Sequence, residues 1–297
     1  MTRALISRIF RILNPGWVTG PIFDKELRVS SRRRRNFVLR FAYLAGLTFF
    51  LVLVWLSRVR YQGTAAAVYV AQMAEAGKAI IAAIVGFQFI ATQLIAVVML
   101  STSISDEVYH RTLGLLMTTP INGLQIVMGK LFSRLLQIIL LLALSLPLLA
   151  VVRVFGGVPW NYVISGLCMT LTATIFAGSL SLYFSMSSRS AYVVILKTVS
   201  TLGFLYAFIP AMGGVFLRGI FLRSLRAGSP SILLPVLLHS NPLAGMWYIT
   251  GMMLSPGAGF PFFSWPLHCA VMLTASALVL SRSVQVVRVV ALRQATG

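Results

Sequence analysis

The residues that decide the fold are 131–152, which read LFSRLLQIILLLALSLPLLAVV. A helix needs roughly 20 mostly apolar residues to cross a hydrocarbon core about 30 Å thick. This stretch meets that length and carries a single charged residue, Arg134. Between Ile138 and Leu144 it is apolar on every face, whereas the strands of a membrane barrel alternate apolar and polar residues. The stretch therefore predicts a membrane-spanning helix.

Five further runs of the same kind occur along the chain. The six predicted spans are Phe37 to Leu56, Ala79 to Leu100, Leu131 to Val152, Tyr162 to Phe184, Tyr192 to Leu217 and Phe262 to Leu280. Of the 297 residues, 58% are hydrophobic and 10% are charged. Soluble domains have about 25% charged residues, so this composition excludes an ordinary soluble protein. We predict an all-α, polytopic membrane protein with six transmembrane helices.

The predicted membrane domain, residues 37–284, has a basic segment on either side. Residues 1–36 are predicted to be cytoplasmic and to begin with an amphipathic helix on the membrane surface. Four apolar residues support this helix by their spacing: Ile6, Ile9, Phe10 and Leu13. Three basic residues interrupt the early apolar stretch and argue against a signal peptide: Arg3, Arg8 and Arg11. Residues 285–297 are predicted to form a basic cytoplasmic tail.

The distribution of Lys and Arg predicts the orientation. Nine basic residues precede the first span and three follow it before the second, which predicts a cytoplasmic N-terminus. With six spans, the C-terminus is also cytoplasmic, and the expected location is the cell (inner) membrane. The run Arg32, Arg33, Arg34 and Arg35 has two compatible interpretations, a clamp for anionic lipid or a docking site for a partner. Nucleic-acid binding is not predicted from the net charge of +20, because no folded domain or stacking platform accompanies it.

Residues 218–261, before the last predicted span, are the main topological ambiguity. Ile232 to Leu254 is apolar enough for a seventh span, but five residues would interrupt a continuous helix repeatedly: Pro235, Asn241, Pro242, Gly245 and Gly251. We predict two short re-entrant or interfacial pieces that pack over the outer mouth of the bundle. A seventh span is the alternative, and it would place the C-terminus outside.

Residues 101–130 form a long predicted cytoplasmic loop between the second and third spans. The sequence predicts a short helix with Asp106 and Glu107 near its N-terminus, a break at Thr119-Pro120, and a second helix that enters the membrane. Four of the five acidic residues of the chain lie in this loop and in the N-terminal segment. Loops longer than a turn between neighbouring helices requires tend to be functional.

This loop resembles the cytoplasmic loop of the type-2 permease subunits of ATP-binding cassette (ABC) transporters. The residues that carry the resemblance, in order and spacing, are Glu107, Thr112, Leu115-Leu116, Pro120 and Gly129-Lys130. Residues 20–28, which read GPIFDKELR, are similar to the connecting helix before the first span of that family. The resemblance implies that these segments contact a separate ATPase. The coupling residues it implies are Glu26, Arg28, Asp106, Glu107, Arg111, Thr112, Leu115, Leu116, Pro120, Gly129 and Lys130.

The chain lacks the phosphate-binding loop Gly-x-x-x-x-Gly-Lys-Ser/Thr of ATPases. Gly123 is one residue too far from Gly129-Lys130, and Leu131 stands where a hydroxyl would bind Mg²⁺. We therefore expect a transport subunit that is not an enzyme, with no catalytic or metal-binding residues and no cofactor of its own. ATP and Mg²⁺ would bind to the partner ATPase. The other expected partners are membrane lipids and a second permease subunit, in a homodimer or a heterodimer.

The resemblance implies an exporter of unknown substrate. It also implies that the second and fifth spans line the pathway, where the candidate residues are Gln88, Thr92, Gln93, Thr201 and Phe204. Interhelical hydrogen bonding is the alternative role for such polar residues. Two other functions stay open: a mechanotransmission subunit without substrate passage, and a secondary transporter or channel. The predicted spans contain no Asp or Glu, which counts against proton-coupled transport.

Overall fold

The computed structural model describes Phe23 and residues 34–58, 66–109, 123–188, 190–212, 233–255 and 263–296. Every regular element in these ranges is a helix. The helices are α1 (Arg34–Arg58), α2 (Ala66–Tyr109), α3 (Gly123–Gly156), α4 (Trp160–Ser187), α5 (Ala191–Met212), α6 (Leu233–Ser240), α7 (Pro242–Leu254) and α8 (Trp265–Thr296). Within α5, Phe204–Phe208 forms a π-helical turn.

Six of these helices are long and apolar enough to cross a membrane: α1 to α5 and α8. They follow the six predicted spans in order, which confirms the all-α, six-span prediction and a multi-pass membrane protein. Their burial differs widely. In the apolar membrane-spanning stretch of α4, 72% of the residues are buried inside the bundle, whereas in that of α1 only 11% are buried. α4 is therefore a central helix. The surface of α1 is available to lipid or to another subunit.

α2 and α3 form an antiparallel pair. At one end Lys130 reaches the carbonyl of Ser103, and at the other end the backbones of Gly77 and Gly156 are in contact. A Cβ atom on Gly156 would lie 2.8 Å from the carbonyl carbon of Gly77, which is too close for real side chains. Small residues at such crossings let helix backbones approach each other inside a membrane. The two glycines therefore set how closely α2 and α3 pack at this end.

α2 and α4 run parallel to each other. The hydroxyl oxygens of Thr92 and Thr174 are 3.1 Å apart, and the Ser181 hydroxyl donates a hydrogen bond of 3.0 Å to the carbonyl of Val97. The residue numbers of both helices rise together along these contacts. Side-chain hydroxyls thus connect the two helices at successive levels of the bundle, where water is not available to satisfy them.

α2 extends beyond the predicted second span. It continues through a serine-rich stretch, residues 101–105, and ends at Tyr109. The prediction of a separate helix that begins near Asp106 is therefore wrong. The serine hydroxyls bond to carbonyls three or four residues earlier in the same helix, and this satisfies them without ending it. Asp106 and Glu107 lie in the last turn of α2 instead of the first turn of a new helix.

α6 and α7 are short helices on either side of Asn241, whose backbone is extended. The Asn241 side chain accepts a hydrogen bond from the Ala244 N–H and so caps α7. Its amide nitrogen donates to the carbonyls of Leu205 and Tyr206 in α5. The predicted interruption of residues 232–254 is thus present at Asn241. The predicted breaks at Pro235, Gly245 and Gly251 are wrong, because these residues lie inside the continuous helices α6 and α7. The re-entrant path of the two pieces stays a prediction.

Candidate transmission site at the end of α2

The candidate site lies where α2 approaches the predicted loop. We define the α2 joint as residues 101–105 of α2, Lys130 of α3 and Ser185 of α4. Its side chains are buried except that of Thr102, which is partly exposed. Beyond the joint α2 continues to Tyr109, and α3 begins at Gly123. The joint therefore connects three helices next to residues 110–122, which lie outside the described part of the chain.

The Ser185 hydroxyl of α4 bonds to the backbone of α2. Its hydroxyl oxygen accepts hydrogen bonds from the N–H groups of Ile104 (3.1 Å) and Ser105 (2.8 Å). It also donates a bond of 3.1 Å to the carbonyl of Ser101. A hydroxyl has one hydrogen to donate and two lone pairs, so these bonds use its full capacity. The Ser185 hydroxyl thus contacts both the Ser105 N–H and the Ser101 carbonyl, two groups that are hydrogen-bond partners of each other in a regular helix.

These bonds have a mechanical consequence for α2. Side chains that enter the backbone hydrogen-bond ladder are one of the few identified causes of helix bending. Because Ser185 belongs to α4, the turns of α2 around Ser101 and Ser105 are tied to a neighbouring helix. A displacement of the end of α2 can therefore reach α4 through these bonds.

Lys130 ties the same turns of α2 to α3. Its side chain is 4% exposed, and its Nζ donates a hydrogen bond to the carbonyl of Ser103. A buried ammonium group is costly unless it is paired or hydrogen-bonded, and this carbonyl supplies one such bond. Gly129, the preceding residue, is buried as well. The structure thus places both of these predicted coupling residues inside the bundle.

α2 and α3 are longer than a membrane crossing requires. They have 44 and 34 residues, or about 66 Å and about 51 Å of helix at a rise of 1.5 Å per residue. The hydrocarbon core measures about 30 Å. Residues 103–109 of α2 and 123–130 of α3 lie on the loop side of the contact between Ser103 and Lys130. We call these two pieces the stem, because they lead from the α2 joint to residues 110–122.

Most of the predicted coupling residues lie outside the described part of the chain. These are Glu26, Arg28, Arg111, Thr112, Leu115, Leu116 and Pro120, together with Arg32 and Arg33 of the basic run. Four others have a described helical backbone but side chains outside the described set: Arg34, Arg35, Asp106 and Glu107. The amphipathic helix within residues 1–36 also falls outside it. The roles of all these residues stay predictions.

The five predicted pathway residues do not share one surface. Gln88, Thr92 and Gln93 are buried inside the bundle, and Thr92 lies in hydroxyl contact with α4. Thr92 therefore has the interhelical position that was the alternative to substrate contact. Phe204 is 53% exposed on α5, and Thr201 is partly exposed. These two residues of α5 are the ones that reach the surface of the bundle.

Gln88 is a buried polar residue that the surrounding helices do not satisfy. Its side chain is 1% exposed, and neither its amide oxygen nor its amide nitrogen has a hydrogen-bond partner among the described residues. Leaving such a group unpaired costs the free energy of its desolvation. A buried amide in this condition calls for an explanation, such as a bound water molecule. Gln88 thus marks a polar position in the interior of α2.

Two histidines lie close together where α6 and α8 meet. The Nε2 of His239 accepts a hydrogen bond of 3.1 Å from the Ser264 N–H, so its Nδ1 carries the proton and donates to the Pro235 carbonyl at 2.7 Å. The Nδ1 of His268 donates to the His239 carbonyl at 2.9 Å. In the ranges that the structure describes, no group of three or more His, Cys, Asp or Glu could hold a metal ion. The histidines serve to connect the two helices.

Ser181 and Ser185 are candidates that the sequence patterns did not single out. The available signal was their spacing, because residues four apart lie on one face of a helix. Which helix that face contacts depends on tertiary packing, so their partners on α2 could not be predicted. Their position on a largely buried span is consistent with a role in packing as well as in transmission.

Comparison with known proteins does not identify a family for this chain. No protein-family model matches the chain, and no curated protein matches it. The likeness to type-2 permease subunits therefore rests on the loop residues quoted above, and its functional content is a proposal.

Proposed function

We propose that this chain is the permease subunit of an ABC exporter, which moves an unknown substrate across the cell (inner) membrane with ATP hydrolysed by a separate subunit. The observation that supports this most is the α2 joint. It connects α2, α3 and α4 by buried hydrogen bonds through Ser185 and Lys130. It also lies next to the segment whose sequence resembles the ATPase-contacting loop of such permeases. A coupling device needs both a contact surface and a connection to the spans.

In this proposal the end of the bundle with residues 110–122 faces the cytoplasm. α1 begins at this end, and with six spans α8 also ends there, so both termini are cytoplasmic. The excess of basic residues before α1 supports this orientation. The run Arg32 to Arg35 would then lie at the inner leaflet, where each basic residue gains about 1 kcal/mol from anionic lipid.

The proposed transmission begins when the ATPase pushes on residues 110–122. The stem passes this displacement to the α2 joint, because two helices held side by side resist bending. At the joint, Lys130 moves α3 together with α2, and Ser185 moves α4. The ladder of α2 has two arrangements in this proposal, one with the Ser185 hydroxyl inserted and one with the Ser105 N–H bonded to the Ser101 carbonyl. A two-state element of this kind can turn a local push into a rigid-body change of the bundle.

The proposal includes a second permease subunit, either another copy of the chain or a related one. α5 is one of the helices that support this, since only 17% of its apolar membrane-spanning stretch is buried in the bundle, compared with 11% for α1. It also contains the π-helical turn at Phe204–Phe208, and such turns occur frequently at functional sites. We assign the surface around Thr201 and Phe204 to the substrate pathway between the two subunits. ATP and Mg²⁺ bind to the ATPase subunits, and this chain carries out no covalent step.

The test is to purify the tagged full-length chain from its native membranes and to reconstitute it in liposomes. We expect an ATPase with a phosphate-binding loop to co-purify. Glu107→Ala should reduce the ATPase activity of the reconstituted complex, because residue 107 lies in the stem at the end of α2. Glu75→Ala is the matched control, since Glu75 is an exposed acidic residue near the start of the same helix. It should leave the activity unchanged.

Two results would contradict the proposal. The first is purified, folded protein without any ATPase partner, which would favour a secondary transporter or channel. The second is a co-purified ATPase whose activity responds equally to Glu107→Ala and Glu75→Ala, which would remove the coupling role from the end of α2.

A further inference from the structure

A cleft of about 360 Å³ lies between α2 and α7. Its walls are mostly apolar and include Phe89 and Ile90 of α2 and Met246 and Trp247 of α7. Thr250 contributes the hydroxyl group among the residues that line it. The cleft is separate from the α2 joint, which lies nearer the other end of α2. The inference drawn from it does not depend on the proposed function.

Two glycines line the cleft, one from each helix. Gly86 belongs to α2 and Gly251 belongs to α7, and both line the open space. A Cβ atom built on either glycine would meet no other atom within 4 Å. Elsewhere in α7, a Cβ on Gly245 would lie 2.8 Å from the Met169 side chain. The absence of side chains at residues 86 and 251 therefore creates a groove instead of a close helix contact.

The hydroxyl group in the cleft is already satisfied. The Thr250 hydroxyl donates a hydrogen bond of 2.8 Å to the carbonyl of Met246. It therefore accepts the bond from the Tyr162 hydroxyl, at 3.0 Å. Because the Thr250 hydroxyl hydrogen already bonds to Met246, the indole N–H of Trp247 is the side-chain hydrogen-bond donor that remains among the lining residues. Trp247 lies at the exposed rim of the cleft. An occupant of the interior must be held by shape and by dispersion contacts.

The cleft opens on the outer surface of the bundle at membrane depth. Its residues on α2 lie within the apolar span, and its rim residues Ile90 and Trp247 are 56% and 80% exposed. Within the single chain this rim is open, so acyl chains of a bilayer can reach it. An apolar cavity of about 150 Å³ takes up benzene without taking up water. A cleft of more than twice that volume, open along one side, suits a longer and flexible hydrocarbon.

We propose that the cleft between α2 and α7 binds one acyl chain of a bilayer phospholipid. An empty apolar cleft forfeits the dispersion contacts of the atoms that line it, and an acyl chain restores them. Because lipid tails are as apolar as the cleft, the selection comes from fit and not from the hydrophobic effect. The bound chain completes the packing of α7 against α2.

The experiment is photolabelling of the full-length chain in liposomes of phosphatidylcholine that carries a diazirine on one acyl chain. Labelled peptides are mapped by mass spectrometry. We expect labelling of residues 82–90 and 243–254 above that of the exposed face of α1, which contacts bulk lipid. Gly251→Leu and, independently, Gly86→Leu should lower the labelling of the cleft to the level of α1, because each leucine fills the open space.

Gly203→Leu is the matched control. Gly203 is an exposed glycine of α5 with no atom within 4 Å of a Cβ, and it lies outside the cleft. This variant should leave the labelling of the cleft unchanged. Labelling of the wild-type cleft at the level of α1, or labelling that survives both leucine substitutions in folded protein, would overturn the proposal. A disulfide between two copies of Trp247→Cys in membranes, with no labelling of the cleft, would show that a second copy of the chain occupies it.

Discussion

Replacing Ser185 with alanine tests the central feature of the candidate site. The substitution removes the hydroxyl that bridges the Ser101 carbonyl and the Ser105 N–H, while the rest of the side chain is kept. We expect the end of α2 to lose its connection to α4. The stability of the protein should fall, and the loss should exceed that of comparable serine substitutions on the same helix.

The size of the loss follows from the hydrogen bonds involved. Ser185 makes three hydrogen bonds to α2. Interhelical hydrogen bonds in membrane proteins contribute about 0.6 kcal/mol each, so their sum is about 1.8 kcal/mol. Backbone hydrogen bonding within α2 offsets part of this sum in the variant, which leaves about 1–1.5 kcal/mol. At about 2–4 °C per kcal/mol, Tm should fall by roughly 2–6 °C.

Two other serines of α4 provide a graded comparison. Ser181→Ala removes one interhelical bond, to the carbonyl of Val97, and should cost about 0.6 kcal/mol. Ser187→Ala removes a bond to Phe184 within the same helix at an exposed position, so its effect should be close to zero. The measurement is thermal unfolding of the variants in the same detergent and at one heating rate, because unfolding of such proteins is often irreversible.

We expect Tm to be highest for Ser187→Ala, lower for Ser181→Ala and lowest for Ser185→Ala. Hydrogen exchange provides a second readout, since the Ile104 amide should exchange faster once its acceptor is removed. Equal Tm values for Ser185→Ala and Ser187→Ala, with unchanged exchange at Ile104, would refute the bridging role of Ser185.

Two further predictions concern stability and are measured by Tm. Gly156→Ala should cost about 1–3 kcal/mol, because its Cβ would overlap the Gly77 backbone, whereas Gly86→Ala meets open space and should be neutral or stabilising. A tolerated Gly156→Ala would disprove the close helix contact. Gln88→Leu should stabilise the protein by about 1–3 kcal/mol, because it removes a buried amide without partners among the described residues. A loss of stability would instead show that a bound water or another group satisfies Gln88.

The spans could be predicted from the sequence because their signal is local. The bilayer thickness requires a long apolar helix, and each of the six runs meets that requirement by itself. The interruption at Asn241 was predictable for the same reason, since Pro242 and the extended Asn241 end and restart helices within a few residues. These features need no knowledge of what the helices contact.

The end of α2 was predicted incorrectly because a local rule was overridden. Serines and an acidic pair are typical of helix starts, and residues 101–107 contain both. In the structure the serine hydroxyls bond within α2, and Ser185 and Lys130 hold the same turns from neighbouring helices. Those stabilising partners are distant in sequence, so local propensity carries no information about them.

The sequence by itself determined that the chain is helical, that it has six membrane-spanning helices, and where along the chain these helices lie. Apolar length and charge placement suffice for this, because the bilayer acts on each segment separately. Only the tertiary structure decided that the Ser185 hydroxyl bonds to the backbone of α2, that Lys130 is buried, and that two glycines line a cleft beside α7. Each of these depends on which face of one helix meets another. The sequence of an apolar span gives little information about which of its faces contacts another helix, because lipid and protein neighbours are equally apolar.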